Sequence, residues 1–191
     1  MPSLRLFGNT GLTLLTKFST GYWNIKDPTN GFTAIQAQVL RKLPLSMLNK
    51  GYFFESDMLF RLNIFRAVVV DVPMEARYGG EESSLNELKA LFQFPWLHFI
   101  NFHKRVFYNY YLRDVSAASV ELLAGLALWW LGIIYGVATY FESSSTGLPA
   151  TTGNVMIAVL PIILGFQLLL AFLSFDVSSV PKKVKHRRVG E

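Results

Sequence analysis

Leu122–Phe141 reads LLAGLALWWLGIIYGVATYF, twenty residues without a charge. Rising about 1.5 Å per residue as a helix, the run covers roughly 30 Å, the thickness of a bilayer's hydrocarbon core. Val155–Phe175, VMIAVLPIILGFQLLLAFLSF, is equally long and uncharged. Pro161 and Gly165 are expected to bend it, a distortion tolerated when neighbouring groups satisfy the freed backbone. Two such runs rarely occur in a soluble domain, so a two-helix membrane hairpin is the expected back half of the chain.

The turn between the runs, Glu142–Asn154, is polar and holds no Lys or Arg, whereas Lys104, Arg105 and Arg113 precede the pair and five basic residues follow it from Lys182 to Arg188. The positive-inside bias therefore expects an integral membrane protein with two spans and both termini cytoplasmic, in the inner membrane if the source is bacterial. The formal charge of +5 sits beside the apolar runs. That placement suits anionic lipid headgroups; no nucleic-acid-binding module is recognisable, so no nucleic acid partner is expected. With no cysteine, disulfides and thiolate chemistry are excluded. Near the N-terminus, Arg5 is followed by an apolar stretch broken at Gly8, Asn9, Thr10 and Gly11, which makes a poor signal peptide, so the front is expected to stay cytosolic.

In the front part, Leu4–Phe18 carries apolar residues at loosely helical spacing, and Asp27-Pro28-Thr29-Asn30-Gly31 is a turn by residue type. Phe32–Ile35 predicts a short strand, Ala37–Leu48 a helix interrupted near Pro44, and Tyr52–Arg66 a longer helix. Ala67–Val72, with its β-branched run stopped by Pro73, predicts the clearest strand. Strand, helix, strand implies part of an α/β layer. From Leu88 to Arg113 aromatic and basic residues alternate, the make-up of an amphipathic segment lying at headgroup depth, with Pro95 expected to divide it into two helices. Packing of the same rings against the front is the other reading.

Three constellations are able to carry chemistry. Asp27, Asn30 and Gly31 offer a carboxylate, an amide and a close backbone approach to a sugar or phosphate, or they form only a turn. Glu55 and Asp57, two positions apart on a helix, project about 200° apart and cannot both address one atom. Arg77, Ser83 and Ser84 flank a Gly79-Gly80 pair and suit an anion, against which Glu81 and Glu82 count unless they point away.

Taken in order, GYWNIKDPTNGF at 21–32, YFFESDML at 52–59, VPMEARYG at 72–79 and Ser83-Ser84-Leu85, followed by two spans, resemble the C-terminal half of family 2 glycosyltransferases acting on polyprenyl phosphate, the dolichyl-phosphate mannose synthase-like group. The resemblance covers nearly the whole chain. It implies α/β plus membrane helices: the C-terminal, acceptor-side part of a GT-A (Rossmann-like) domain over 1–86, amphipathic interfacial helices over 87–116, a two-helix transmembrane hairpin over 117–175 and a basic cytoplasmic tail over 176–191. It implies transfer of a sugar from a nucleotide-sugar to polyprenyl (undecaprenyl or dolichyl) phosphate at the cytosolic face, feeding a cell-envelope glycan. Asp27, Glu55 and Asp57 would be catalytic; Asn30, Gly31, Arg77, Ser83 and Ser84 would bind substrate. Lys89 joins the binding residues because Ser84 stands nearest to where the family often has a lysine.

The family's nucleotide-binding half and its Asp-x-Asp motif are not in the sequence. The chain is therefore expected to be a fragment, a truncated reading frame or one piece of a split enzyme, inactive alone. The Mg²⁺ or Mn²⁺ of the complete enzyme would not be held here, and no metal ligand is assigned. The nucleotide-sugar would be met through a missing N-terminal half, and a homo-oligomer is compatible with the chain. The rival expectation is a non-catalytic two-span anchor binding anionic lipid or a partner protein. A small transporter is disfavoured by spans without internal charge.

Overall fold

The computed structural model describes residues 3–28, 30–73 and 87–182. The helices are α1 (Ser3–Thr20), α2 (Ala37–Leu40), α3 (Phe54–Ile64), α4 (Glu87–Phe107), α5 (Ala117–Thr146) and α6 (Thr152–Ser178), with a 3₁₀ turn at Leu45–Met47 and a π turn at Tyr108–Arg113. They form two compact units, Met1–Asn109 with Val180–Glu191, and Tyr110–Ser179.

In the first unit α1 packs on α3 and α4, and α3 on α4. Among the α1 side chains described, from residue 10 on, those buried are the hydroxyl residues Thr16, Ser19 and Thr20. Each donates to a carbonyl of its own helix, Thr16 to Leu12 at 2.8 Å, Ser19 to Thr16 at 3.1 Å and Thr20 to Thr16 at 2.7 Å, so burial leaves no donor unmet. The apolar core lies beside it: Tyr22, Ile25, Leu43, Met58, Leu59, Leu62 and Val180. The Tyr22 phenol donates to the Ala67 carbonyl at 2.6 Å. Burial pushes its pKa above the usual range, and the nearby Arg66 charge opposes that rise in part.

Helix α1 ends at Gly21, whose φ of +74° needs a residue without a side chain. A Cβ there would lie 2.7 Å from Arg105 Nη1. That guanidinium, fully buried, donates to the Phe18 carbonyl at 2.8 Å, a cation at the negative end of the helix dipole. Gly21→Ala is therefore expected to cost about 2 kcal/mol in urea unfolding, from left-handed backbone strain and displacement of Arg105.

Among the described residues there is no strand, which corrects the expected α/β layer. Phe32–Ile35 and Ala67–Val72 are in neither helix nor strand, because no neighbouring strand among the described residues offers a row of backbone groups. At Arg66 the chain takes a φ of +56°, and the Ala67 amide donates back to the Leu62 carbonyl at 3.0 Å. This reversal lays 67–71 alongside 22–26. Three bonds at a constant separation of 45 residues join them: Tyr22 to the Ala67 carbonyl, Asn24 Nδ2 to the Val69 carbonyl at 2.9 Å, and the Lys26 amide to Asp71 Oδ2 at 2.6 Å. Side chains have taken the place of the ladder.

A second correction concerns Pro95, which lies inside a continuous α4 instead of dividing it. Its missing N–H costs the helix one bond without ending it.

In the second unit α5 and α6 are each long and apolar enough to cross a membrane. Only 11% and 17% of their most apolar windows are buried, whereas the core helix of a soluble protein is mostly covered. Their bounds exceed the apolar runs at both ends. Ser116 and Ser119 form a capping box at the start of α5, left-handed Gly147 ends it, and Thr151 caps α6 by accepting from the Asn154 amide at 3.2 Å. The short connection makes the pair antiparallel.

Buried positions recur every seven residues, at Ala118, Gly125 and Gly132 on α5 and at Ala158, Gly165 and Phe172 on α6. A Cβ on Gly132 would lie 2.6 Å from the Ala158 carbonyl oxygen, and one on Gly165 2.6 Å from the Trp129 amide and 2.7 Å from the Gly125 carbonyl oxygen. The two backbones touch, as small-residue seams allow. Asp176, expected to begin a tail, is instead buried in the last turn of α6, where it accepts from the Tyr110 hydroxyl at 2.6 Å.

Candidate functional site

The turn at 27–31 is set by its own side chains. The Asn30 side-chain oxygen accepts from the Phe32 amide at 3.0 Å, and Pro28 is buried beneath exposed Asp27 and Asn30. Across from it stands the first turn of α3. A Cβ on Gly31 would lie 3.6 Å from Glu55 Oε1, so the loop and the acid are in contact range. Two stretches separated by more than twenty residues thus meet at one half-buried carboxylate.

Asp57 serves a different purpose. It is buried, and its oxygens accept from Arg61 Nε at 3.1 Å, the Asn49 amide at 3.1 Å and Asn101 Nδ2 at 3.3 Å. Arg61 in turn donates to the Met47 carbonyl at 2.6 Å. One carboxylate thereby fastens α3 to the 47–49 segment and to α4, and the roughly 200° between positions 55 and 57 separates the acid beside Gly31 from a scaffold acid.

Arg77, Ser83 and Ser84 lie outside the described residues, as do the basic residues from Lys183 onward. Lys89 is on the first turn of α4. Among the described residues no group of three or more His, Asp or Glu side chains is able to hold a metal ion.

The aromatic segment divides by face. His98, Asn101, Arg105 and Val106 are buried, whereas Trp96 (62% exposed), Phe99 (54%) and Phe107 (58%) face outward with exposed His103 and Lys104. Trp96 stacks on Phe99, centroids 5.8 Å apart and 13° between planes, and Phe99 meets His103 at 4.1 Å. Packing against the first unit accounts for the buried side of the helix, and the rings of the other side are exposed.

His98, one of the basic residues that alternate with the aromatics from Leu88 to Arg113, lies in the core, a place the sequence reading missed. Its Nδ1 lies 2.7 Å from Ser19 Oγ, its Nε2 3.4 Å from Thr16 Oγ1, and the Phe53 ring sits 4.7 Å away. Spacing held the signal: 98, 101 and 105 share one helix stripe. Burial lowers the His98 pKa from 6.5 to about 4. Between those values the unfolded chain binds more protons than the folded one, so stability is fully present above pH 6.5 and falls as pH drops toward 4. The interval corresponds to about 3 kcal/mol. In urea unfolding at pH 7 and pH 4, His98→Gln is expected to lose less stability on acidification than the parent; an equal loss would show that His98 does not set this slope.

Comparison of the chain with family models, with curated proteins and with solved structures gives no match.

Proposed function

We propose that this chain is the acceptor side of a glycosyl transfer site at the cytosolic membrane face, where polyprenyl phosphate receives a sugar from a nucleotide-sugar held by a nucleotide-binding half outside these 191 residues. The approach of Gly31 to Glu55 is the observation that carries this reading, because it unites the loop and the acid on which the resemblance rests.

The chemistry follows from charge. A phosphate oxygen of the acceptor attacks the anomeric carbon, the bond to the nucleotide's phosphate breaks, and the nucleoside phosphate departs with the electron pair. The attacking oxygen is already anionic near neutral pH, so it needs positioning more than a general base. Positive charge developing on the sugar is stabilised by a nearby carboxylate, the role we assign to Glu55, while Asp27 and Asn30 hydrogen-bond sugar hydroxyls. Arg77, Ser83, Ser84 and Lys89 are the candidates for gripping phosphate. Helices α5 and α6 span the bilayer with both chain ends cytoplasmic, and the outward rings of α4 lie at headgroup depth beside the cation of Lys104.

Titration of the detergent-solubilised chain with UDP- and GDP-sugars and Mn²⁺, beside the chain joined to a nucleotide-binding half, tests the reading. Binding and transfer to polyprenyl phosphate are expected only from the joined protein. Turnover by the chain alone would overturn the division of labour, and binding by neither would overturn the enzyme reading. A non-catalytic two-span anchor is the second reading, favoured by the commitment of Asp57 to the scaffold.

A further inference from the structure

Between α2, the turn that follows it and the start of α3 lies a half-open cavity of about 290 Å³. Leu40, Leu43, Leu45, Leu48, Phe54 and Met58 form its walls, with Asn49 and Lys50 at its edge. The Asn49 amide is already given to Asp57, whereas Lys50 is exposed and is the one charged residue lining an otherwise apolar space. Leu45 is 53% exposed and Phe54 37%, so part of this wall faces solvent. Such a site suits an amphiphile, with a slim apolar chain against the leucines and an anionic head at the lysine. The volume, near the lower limit of small-ligand pockets, disfavours a two-chain lipid. Free phosphate would leave the walls uncovered.

Position strengthens the argument. Phe54 and Met58 line the cavity, and Glu55, one residue on and about 100° around α3, meets Gly31. One helical turn therefore serves the cavity and the candidate transfer site together.

We propose that this cavity seats the first isoprene units of a prenyl phosphate, with the Lys50 ammonium on the phosphate. The proposal rests on the acceptor reading above and gives that acceptor a subsite on this chain. Branched methyl groups match leucine-lined walls, and the phosphate supplies the charge that Lys50 calls for.

Methionine methyl groups report on it directly. Met58 is in the wall, and Met156, on α6, is the control. The full chain, labelled with ¹³C-methyl methionine in detergent, is titrated with geranyl phosphate, geraniol, palmitate and inorganic phosphate. Geranyl phosphate is expected to shift Met58 saturably without moving Met156, with geraniol and palmitate at least tenfold weaker and inorganic phosphate silent at Met58. Lys50→Ala should reduce geranyl phosphate to the geraniol level. Leu45→Asp, at an exposed wall position that leaves the ligand-free spectrum otherwise unchanged, should weaken it at least tenfold. A silent Met58, equal responses to geraniol and geranyl phosphate, tighter binding of palmitate, or undiminished binding by Lys50→Ala would each overturn the proposal. Full sugar transfer by a joined Lys50→Ala enzyme, at unchanged acceptor KM, would overturn the subsite and leave the acceptor reading standing. A saturable Met58 response with no transfer by any joined protein would uphold the cavity as a prenyl-phosphate site and overturn the enzyme reading.

Discussion

Replacing Gly165 with leucine is expected to force α5 and α6 apart. At this position a Cβ would already lie 2.6 Å from the Trp129 amide, 2.7 Å from the Gly125 carbonyl oxygen and 3.0 Å from Trp129 Cα, all backbone atoms that have no rotamer to change. A leucine adds three more carbons to that overlap. Overpacking of this kind costs about 3 kcal/mol when neighbours yield, and here the neighbour is a helix backbone. In a bilayer the loss is not repaid by burial elsewhere, since lipid tails are as apolar as the leucine, and helix association depends on close contact. The chain has no cysteine, which makes the test clean. A Cβ on Gly136 would lie 3.4 Å from Ala158 Cβ, near the separation a disulfide requires, so a Gly136→Cys, Ala158→Cys pair should oxidise readily in the parent. In the Gly165→Leu background the same pair should stay reduced. Equal oxidation in both would refute the backbone-contact seam.

Glu55→Gln, made in the joined enzyme, is expected to lower kcat by about 10²–10³-fold with each KM within about threefold, a loss of roughly 3–4 kcal/mol of transition-state stabilisation. The isosteric amide keeps the contact with the turn at Gly31 and removes only the charge. Asp57→Asn should behave in the opposite sense. Its buried carboxylate accepts from half-buried Arg61, the Asn49 amide and Asn101, so its neutralisation weakens these charge-assisted bonds and should cost about 2 kcal/mol of folding stability, read as a lower urea midpoint. A Glu55→Gln enzyme with parental kcat would remove Glu55 from the chemistry.

The elements legible in the sequence were those whose cause is local. An uncharged run of twenty residues declares a long apolar helix by itself, and the Asp27–Gly31 turn follows from its residue types. The acidic helix, too, begins within two residues of expectation. What failed depended on partners distant in the chain. Val68, Val69 and Val70 favour extended backbone, but a strand also needs a neighbour, which no property of Ala67–Val72 reports. At Gly165 nothing in the sequence signalled the distant partner, the α5 backbone that the helix touches there. Within the candidate site the opposed directions of Glu55 and Asp57 were foreseeable from helix geometry. The meeting of Glu55 with Gly31 was not, because it depends on how the 32–53 segment folds back.

Val180 has a consequence for the order in which the protein is made. It belongs to the same core as Tyr22, Ile25 and Met58, yet it is synthesised after both apolar helices. Translation proceeds from the N-terminus, so the first unit leaves the ribosome with its core open on one side and gains its last apolar side chain only once the hairpin has emerged. Emergence of both long apolar helices therefore comes before completion of the first unit's core.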